Sequence, residues 1–108
     1  MIDFDKTIRI NMLLDFYSAL LTKKQLDYML LYFKDDLSLQ EIANLYQVSR
    51  NAIYDNIQRT IKQLNKYEEK LQLFNKFTRK QEILDQMKID FSSNSQLIQY
   101  IYQLEELE

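Results

Sequence analysis

The sequence predicts an all-α fold built around a helix-turn-helix, with an extended C-terminal helical part. Three observations carry this expectation. The 108 residues include no Gly and no Pro, and tight β-hairpins depend on Asn-Gly, Asp-Gly or Gly-X turns. Apolar residues recur at three- and four-residue spacing along most of the chain, the period of an amphipathic helix. Between positions 37 and 57, two short helical patterns, each opened by a serine, meet at a sharp turn, the layout of a helix-turn-helix. The length predicts one domain, with the motif at about 37–62 and the extended helices at about 63–108.

The first helix is expected over about 7–21, because Ile10, Leu13, Leu14, Tyr17, Leu20 and Leu21 form one wide apolar face. Thr22-Lys23-Lys24-Gln25 is a capping box, in which the Thr oxygen and the Gln side chain each satisfy an orphan backbone amide. It opens a second helix over about 23–33 that buries Leu26, Met29, Leu30 and Phe33. Ser38-Leu39-Gln40-Glu41 is a second capping box. Its helix ends near Tyr46 and turns inward Leu39, Ile42, Ala43 and one of Leu45 or Tyr46. Ala43 is the small residue at which two helices cross closely. The turn at 46–48 lacks Gly, so Gln47 or Asn44 must take a left-handed backbone. Ser49 caps the recognition helix, whose Ile53 and Ile57 face the core while Arg50, Asn51, Tyr54, Asp55 and Gln58 face outward.

Past Ile57 no strong breaker occurs before Ser92-Ser93-Asn94-Ser95. Ile57, Leu64 and Leu71 fall seven apart, as do Thr60, Tyr67 and Phe74. That spacing fits either intramolecular core or a coiled-coil seam between two copies. The seam reading makes Leu64, Tyr67, Leu71 and Phe74 the interface of a homodimer. The stripe then changes phase to Phe77, Leu84 and Phe91, with Ile83 and Met87 alongside, so a break is expected near Asn65 or Asn75. A last helix over about 95–107 places Leu97, Ile98, Ile101, Leu104 and Leu107 on one side.

The missing residue types also remove chemistries. Without Gly there is no phosphate-cradling loop of the P-loop or dinucleotide type. Without Cys or His there is no thiol nucleophile, disulfide, imidazole base or ordinary zinc site. Asp35-Asp36 reads as a solvated loop pair, so no catalytic residue, metal or cofactor is assigned and the protein is expected not to be an enzyme. No stretch approaches the ~20 apolar residues of a membrane span, and no basic-then-apolar leader is present. Cytoplasmic residence is expected.

Charge is uneven. Residues 1–36 carry net −1, 37–78 net +2 and 79–108 net −3, giving −2 overall. Lys outnumbers Arg ten to four, yet Arg50 and Arg59 both lie in the recognition helix. Guanidinium suits phosphate and guanine. Arg50, Asn51, Tyr54, Asp55, Gln58, Arg59, Lys62 and Lys66 are therefore the candidate nucleic-acid-binding residues. The last two join Arg50 and Arg59 as phosphate contacts. Asp55 opposes approaching phosphate but can accept from a cytosine amino group, and Tyr54 offers a ring for an unpaired base; both equally suit a protein interface.

Residues 22–64 resemble region 4 of bacterial sigma factors, through Leu21-Thr22-Lys23-Lys24-Gln25, Leu37-Ser38-Leu39-Gln40-Glu41-Ile42-Ala43, Val48-Ser49-Arg50 and Arg59. The run Ser49-Arg50-Asn51-Ala52-Ile53-Tyr54-Asp55-Asn56-Ile57, with Leu20-Leu21-Thr22 before it and Tyr67-Glu68-Glu69-Lys70-Leu71 after it, more closely resembles the YlxM-type family. The likeness extends over about 11–87. It implies a sigma-region-4-like bundle with extended C-terminal helices and a gene near those of the signal recognition particle. Assistance or regulation of that pathway follows by the same implication. The DNA-contacting positions of region 4 fall on Arg50, Asn51, Tyr54 and Asp55, and the last two depart from the sigma pattern.

Three functions stay open. The first is a regulatory or accessory protein acting with the particle's protein or RNA. The others are a transcription regulator bound to duplex DNA and a protein-interaction adaptor.

Overall fold

The structure is a computed structural model that describes residues 4–108. Its elements are α1 (Phe4–Tyr17), a 3-10 turn (Ser18–Leu20), α2 (Lys23–Phe33), α3 (Leu39–Tyr46), α4 (Arg50–Leu71), α5 (Leu73–Asp90) and α6 (Ser95–Glu106), with no strand among the described residues. Two compact units result, the first ending at Phe74 and the second running from Asn75 to Glu108.

Side-chain caps set the helix starts of the first unit. Thr22 accepts from the Gln25 amide at 3.2 Å while Gln25 accepts from that of Thr22 at 3.0 Å. Ser38 and Glu41 repeat the exchange at 3.1 Å each way. These oxygens satisfy donors that the first helical turn leaves without partners. Gln47 ends α3 in the left-handed region, at φ 55° and ψ 45°. The Val48 amide donates back to the Ala43 carbonyl at 3.1 Å.

The core of this unit draws Ile10, Leu13, Leu14 and Tyr17 from α1, Tyr28 and Met29 from α2, Ile42 and Ala43 from α3, and Ile53, Ile57 and Leu64 from α4. Each fully buried Ile or Leu contributes roughly 1.5–3 kcal/mol against exposure. Two inward assignments differ. Leu20 is exposed because the chain leaves α-helical geometry after Tyr17 and tightens into the 3-10 turn, which rotates the following side chain off the face. Tyr28 is buried instead of half-buried Leu30, and its ring meets Tyr46 edge-on at 4.9 Å. Of the two residues offered for the inward side of α3, Tyr46 is 39% exposed and makes this ring contact, while Leu45 is 63% exposed.

The break in the long C-terminal run falls at Gln72, at φ 54° and ψ 32°, not at Asn65 or Asn75. Local sequence does not demand a break there, but a tertiary network does. The Tyr17 hydroxyl donates to Glu68 Oε1 at 2.7 Å and accepts from the Leu73 amide at 3.1 Å. The same Glu68 oxygen accepts from the Phe74 amide at 3.1 Å. Two orphan donors at the start of α5 thereby gain acceptors from α1 and α4, and the Glu68 carboxylate meets the positive end of the helix dipole. Burial, followed by the hydrogen bond to Glu68, pushes the Tyr17 hydroxyl above its ordinary value of 10.0.

The same packing bears on Leu64, Tyr67, Leu71 and Phe74, the residues of the expected dimer seam. Leu64 is fully buried in its own chain. Half-buried Tyr67 lies 5.9 Å from the Tyr17 ring and accepts from Gln63 Nε2 at 2.6 Å. Phe74 lies 6.2 Å from the Phe16 ring. Of the four, Leu71 alone is exposed.

In the second unit α5 and α6 run antiparallel, as their cross-links require. Glu105 accepts from Lys88 Nζ at 2.7 Å and from Gln81 Nε2 at 2.5 Å. Lys80 pairs with Glu108, and Lys88 Nζ sits 5.2 Å from the Tyr102 ring centre. Asn94 caps α6 by accepting from the Leu97 amide at 3.1 Å. Only Leu84 and Ile101 are buried among the apolar residues of this unit. The single apolar side expected of the last helix is split, with Ile101 inward and Leu104 and Leu107 exposed.

Two expectations follow from the packing. Ala43→Leu should cost ~1–3 kcal/mol by overpacking the α3–α4 crossing; a melt that loses no stability would contradict the close approach. Tyr17→Phe should cost ~1–3 kcal/mol by leaving the Leu73 amide and a buried carboxylate oxygen short of partners. Because folding holds the Tyr17 hydroxyl neutral, its contribution is complete below pH 10.0 and disappears as pH rises through the raised value. Alkaline unfolding followed by circular dichroism should therefore contain a component that Tyr17→Phe lacks, and superimposable alkaline curves would sink the assignment.

Candidate nucleic-acid interface

The outward side of α4 follows from its inward one. Ile53, Ile57, Thr60, Leu64 and Glu68 define the buried face, and each residue turns the helix by about 100°. Asn51, Asp55, Gln58, Lys62 and Lys66 then fall in one stripe on the opposite side, with Tyr54 and Arg59 at its edges. All seven are exposed. Ser49 sets this register. Its backbone is extended, and its Oγ accepts from the Ala52 amide at 3.0 Å, so the helix begins at Arg50.

Arg50 stands apart from the stripe. It lies seven residues before Ile57 and so shares the azimuth of the buried face. It is exposed because it occupies the first turn, one turn short of the first buried residue, Ile53. Of the four cations assigned to phosphate, the helix thus groups Arg59, Lys62 and Lys66 and leaves Arg50 at the motif's entrance.

Tyr54, Asp55, Gln58, Arg59, Ile61 and Lys62 line an open cleft of about 590 Å³. Ile61 was not among the expected site residues, although it follows Ile57 by one helical turn and so borders the core face. Tyr54 is 48% exposed, which leaves one side of a flat ring free to stack. Arg59 and Lys62 outnumber Asp55 in the cleft, and Lys66 extends the basic side. Such a surface attracts phosphate but opposes a close backbone at its acidic centre.

A second recess, of about 460 Å³, lies on α3 and is lined by Leu37, Glu41, Asn44 and Leu45. Val48, just beyond the left-handed Gln47, is also exposed. This part of the motif is apolar rather than basic. Among the described residues no group of Asp and Glu could hold a metal ion, and no helix is long and apolar enough to cross a membrane.

Comparison with known proteins agrees with the helical motif. A family model described as "UPF0122: Putative helix-turn-helix protein, YlxM / p13 like" matches residues 4–104. A UPF0122 protein of Geobacillus sp. strain WCH70 is 51% identical over 108 residues, covering 96% of this chain and 98% of the relative. One from Staphylococcus epidermidis strain ATCC 35984 is 48% identical over 106 residues, covering 98% and 96%. One from Bacillus pumilus is 57% identical over 84 residues, covering 78% and 76%.

The cap at Ser49 controls the order of the first turn of the interface. Ser49→Ala should destabilise by ~0.5–2 kcal/mol and speed amide exchange across the first turn of α4. Unchanged exchange there would show that the cap does not hold the site.

Proposed function

The chain belongs to the UPF0122 family of YlxM/p13-like helix-turn-helix proteins, and from that premise we propose that it is a non-catalytic accessory protein that binds RNA in the cytoplasm. Its target on this reading is the signal recognition particle, the context implied by the YlxM resemblance. The observation that carries the reading is the exposed side of α4, where Arg59, Lys62 and Lys66 lie beside the half-exposed ring of Tyr54. Phosphates run along the cations, while an unpaired base stacks on Tyr54. Asp55 sits mid-stripe, where a helix laid in a major groove would hold a carboxylate inside the duplex's negative field with only a base amino group as donor. That placement favours RNA with unpaired bases over duplex DNA.

A second reading, as a protein adaptor, draws on the α3 recess and on exposed Leu45 and Val48. These offer apolar contact to the particle's protein rather than its RNA.

The test is a titration of the full chain with the particle's RNA, duplex DNA and the particle's protein at several salt concentrations. With three phosphate contacts on a single strand, log affinity should fall with log salt at a slope of about −2. Arg59→Ala with Lys62→Ala should make that slope shallower by about 1.4. Tyr54→Ala should weaken binding by about 1–3 kcal/mol and leave the slope unchanged. Arg50→Ala should matter less, since Arg50 lies off the stripe. Tight, steeply salt-dependent binding to a DNA site would instead make the protein a transcription regulator. Protein binding without either nucleic acid would leave the adaptor.

A further inference from the structure

The second unit carries an exposed apolar side. Gln81 and Lys88 of α5 reach Glu105 of α6, and Lys88 also reaches Tyr102, so these residues mark one flank of the antiparallel pair. At about 100° per residue, the other flank receives Lys76, Ile83, Met87 and Asp90 from α5. From α6 it receives Leu97, Tyr100, Leu104 and Leu107. The α6 residues follow a three-four-three spacing, which is that of a coiled-coil seam. Ile83 is 59% exposed, Tyr100 55%, Leu104 49% and Leu107 83%.

We propose that this flank of the α5–α6 hairpin is the surface on which a second copy of the chain docks, forming an isologous dimer about Ile83. Size gives the first reason. A unit running from Asn75 to Glu108 with two buried apolar residues is below the ~40 residues at which a disulfide, metal or oligomer is usually needed. The chain has no Cys, and the described residues hold no candidate metal cluster. Of these three supports, an oligomer is the one its composition leaves open.

Charge gives the second reason and selects a copy of the chain as occupant. Lys76 and Asp90 each stand seven residues from Ile83, on opposite sides. A two-fold axis through Ile83 sets α5 antiparallel to the partner subunit's α5, so Lys76 faces the partner subunit's Asp90 at both ends. An isologous interface requires this self-complementarity. Area gives the third. Four side chains about half exposed present roughly 100 Å² each, or about 400 Å² per copy. That is the apolar centre of a standard interface of about 800 Å² per partner, with the Lys76 and Asp90 pairs as its polar rim.

Sedimentation equilibrium of the full chain, from about 1 to 200 μM, tests the proposal. The expected result is a reversible shift from monomer to dimer mass. Lys76→Glu should raise the dimer Kd at least about tenfold, and Lys76→Glu combined with Asp90→Lys should restore it to within about threefold. Leu104→Glu with Leu107→Glu should give monomer throughout. If that apolar variant fails to fold, the charge pair still decides, because both of its positions are exposed. A wild-type monomer at every concentration overturns the dimer. A dimer indifferent to Lys76→Glu and unimproved by the double exchange overturns the face.

Discussion

Tyr17 and Glu68 stand 51 residues apart in the chain and 2.7 Å apart in the fold, and much of the first unit is arranged around them. Their oxygens take the Leu73 and Phe74 amides, so α5 begins without a Ser, Thr, Asp or Asn cap of its own. A buried carboxylate is costly unless its oxygens are hydrogen-bonded. Here the solvation it loses is replaced by a hydroxyl and a helix start. The constraint works in both directions. The backbone must turn at Gln72 to bring those amides to Glu68, and non-Gly residues accept a left-handed turn only when the surroundings enforce it.

That joint governs which surface α4 can offer. With Leu64 and Glu68 turned inward, and with Tyr67 and Phe74 packed on the α1 aromatics, the inner side of α4 is occupied by its own chain. The outer side is therefore free over Asn51 to Lys66. Its chemistry is mixed, with three grouped cations, one carboxylate and one half-exposed ring. A surface of that kind is poorly matched to regular duplex phosphates and better matched to an RNA that splays its bases. The apolar recess on α3 adds a neighbouring surface of different character within the same motif.

Much of the fold was legible from local signals. Three of the helix starts follow from Thr22, Ser38 and Ser49, because a cap is a contact across three residues and needs no tertiary information. A left-handed residue in the motif's turn was legible because a sharp turn without Gly needs another residue there; the structure chose Gln47 over Asn44. The exposed stripe of α4 followed from the period of its apolar face. Other features were not legible. Glu68 continues the Ile57–Leu64 stripe, so its unusual position is visible in the spacing, but its pairing with Tyr17 is not. The heptads at Leu64, Tyr67, Leu71 and Phe74 fit core and seam equally, since periodicity identifies an apolar face without naming what covers it. Arg50 was grouped with Arg59 by residue type, whereas the helical period separates them by about 180°.

The amino-acid sequence by itself determined the all-α class, the helix-turn-helix and the residues exposed on its second helix. Each of these depends on composition or on contacts within a few turns of one helix. The tertiary structure decided where the long helical run breaks and which apolar stripes are core. It also decided which aromatic rings pack together, bringing Tyr67 onto Tyr17 and Phe74 onto Phe16. Those outcomes depend on partners tens of residues apart. Their energies come from burying polar groups together, which no local pattern encodes.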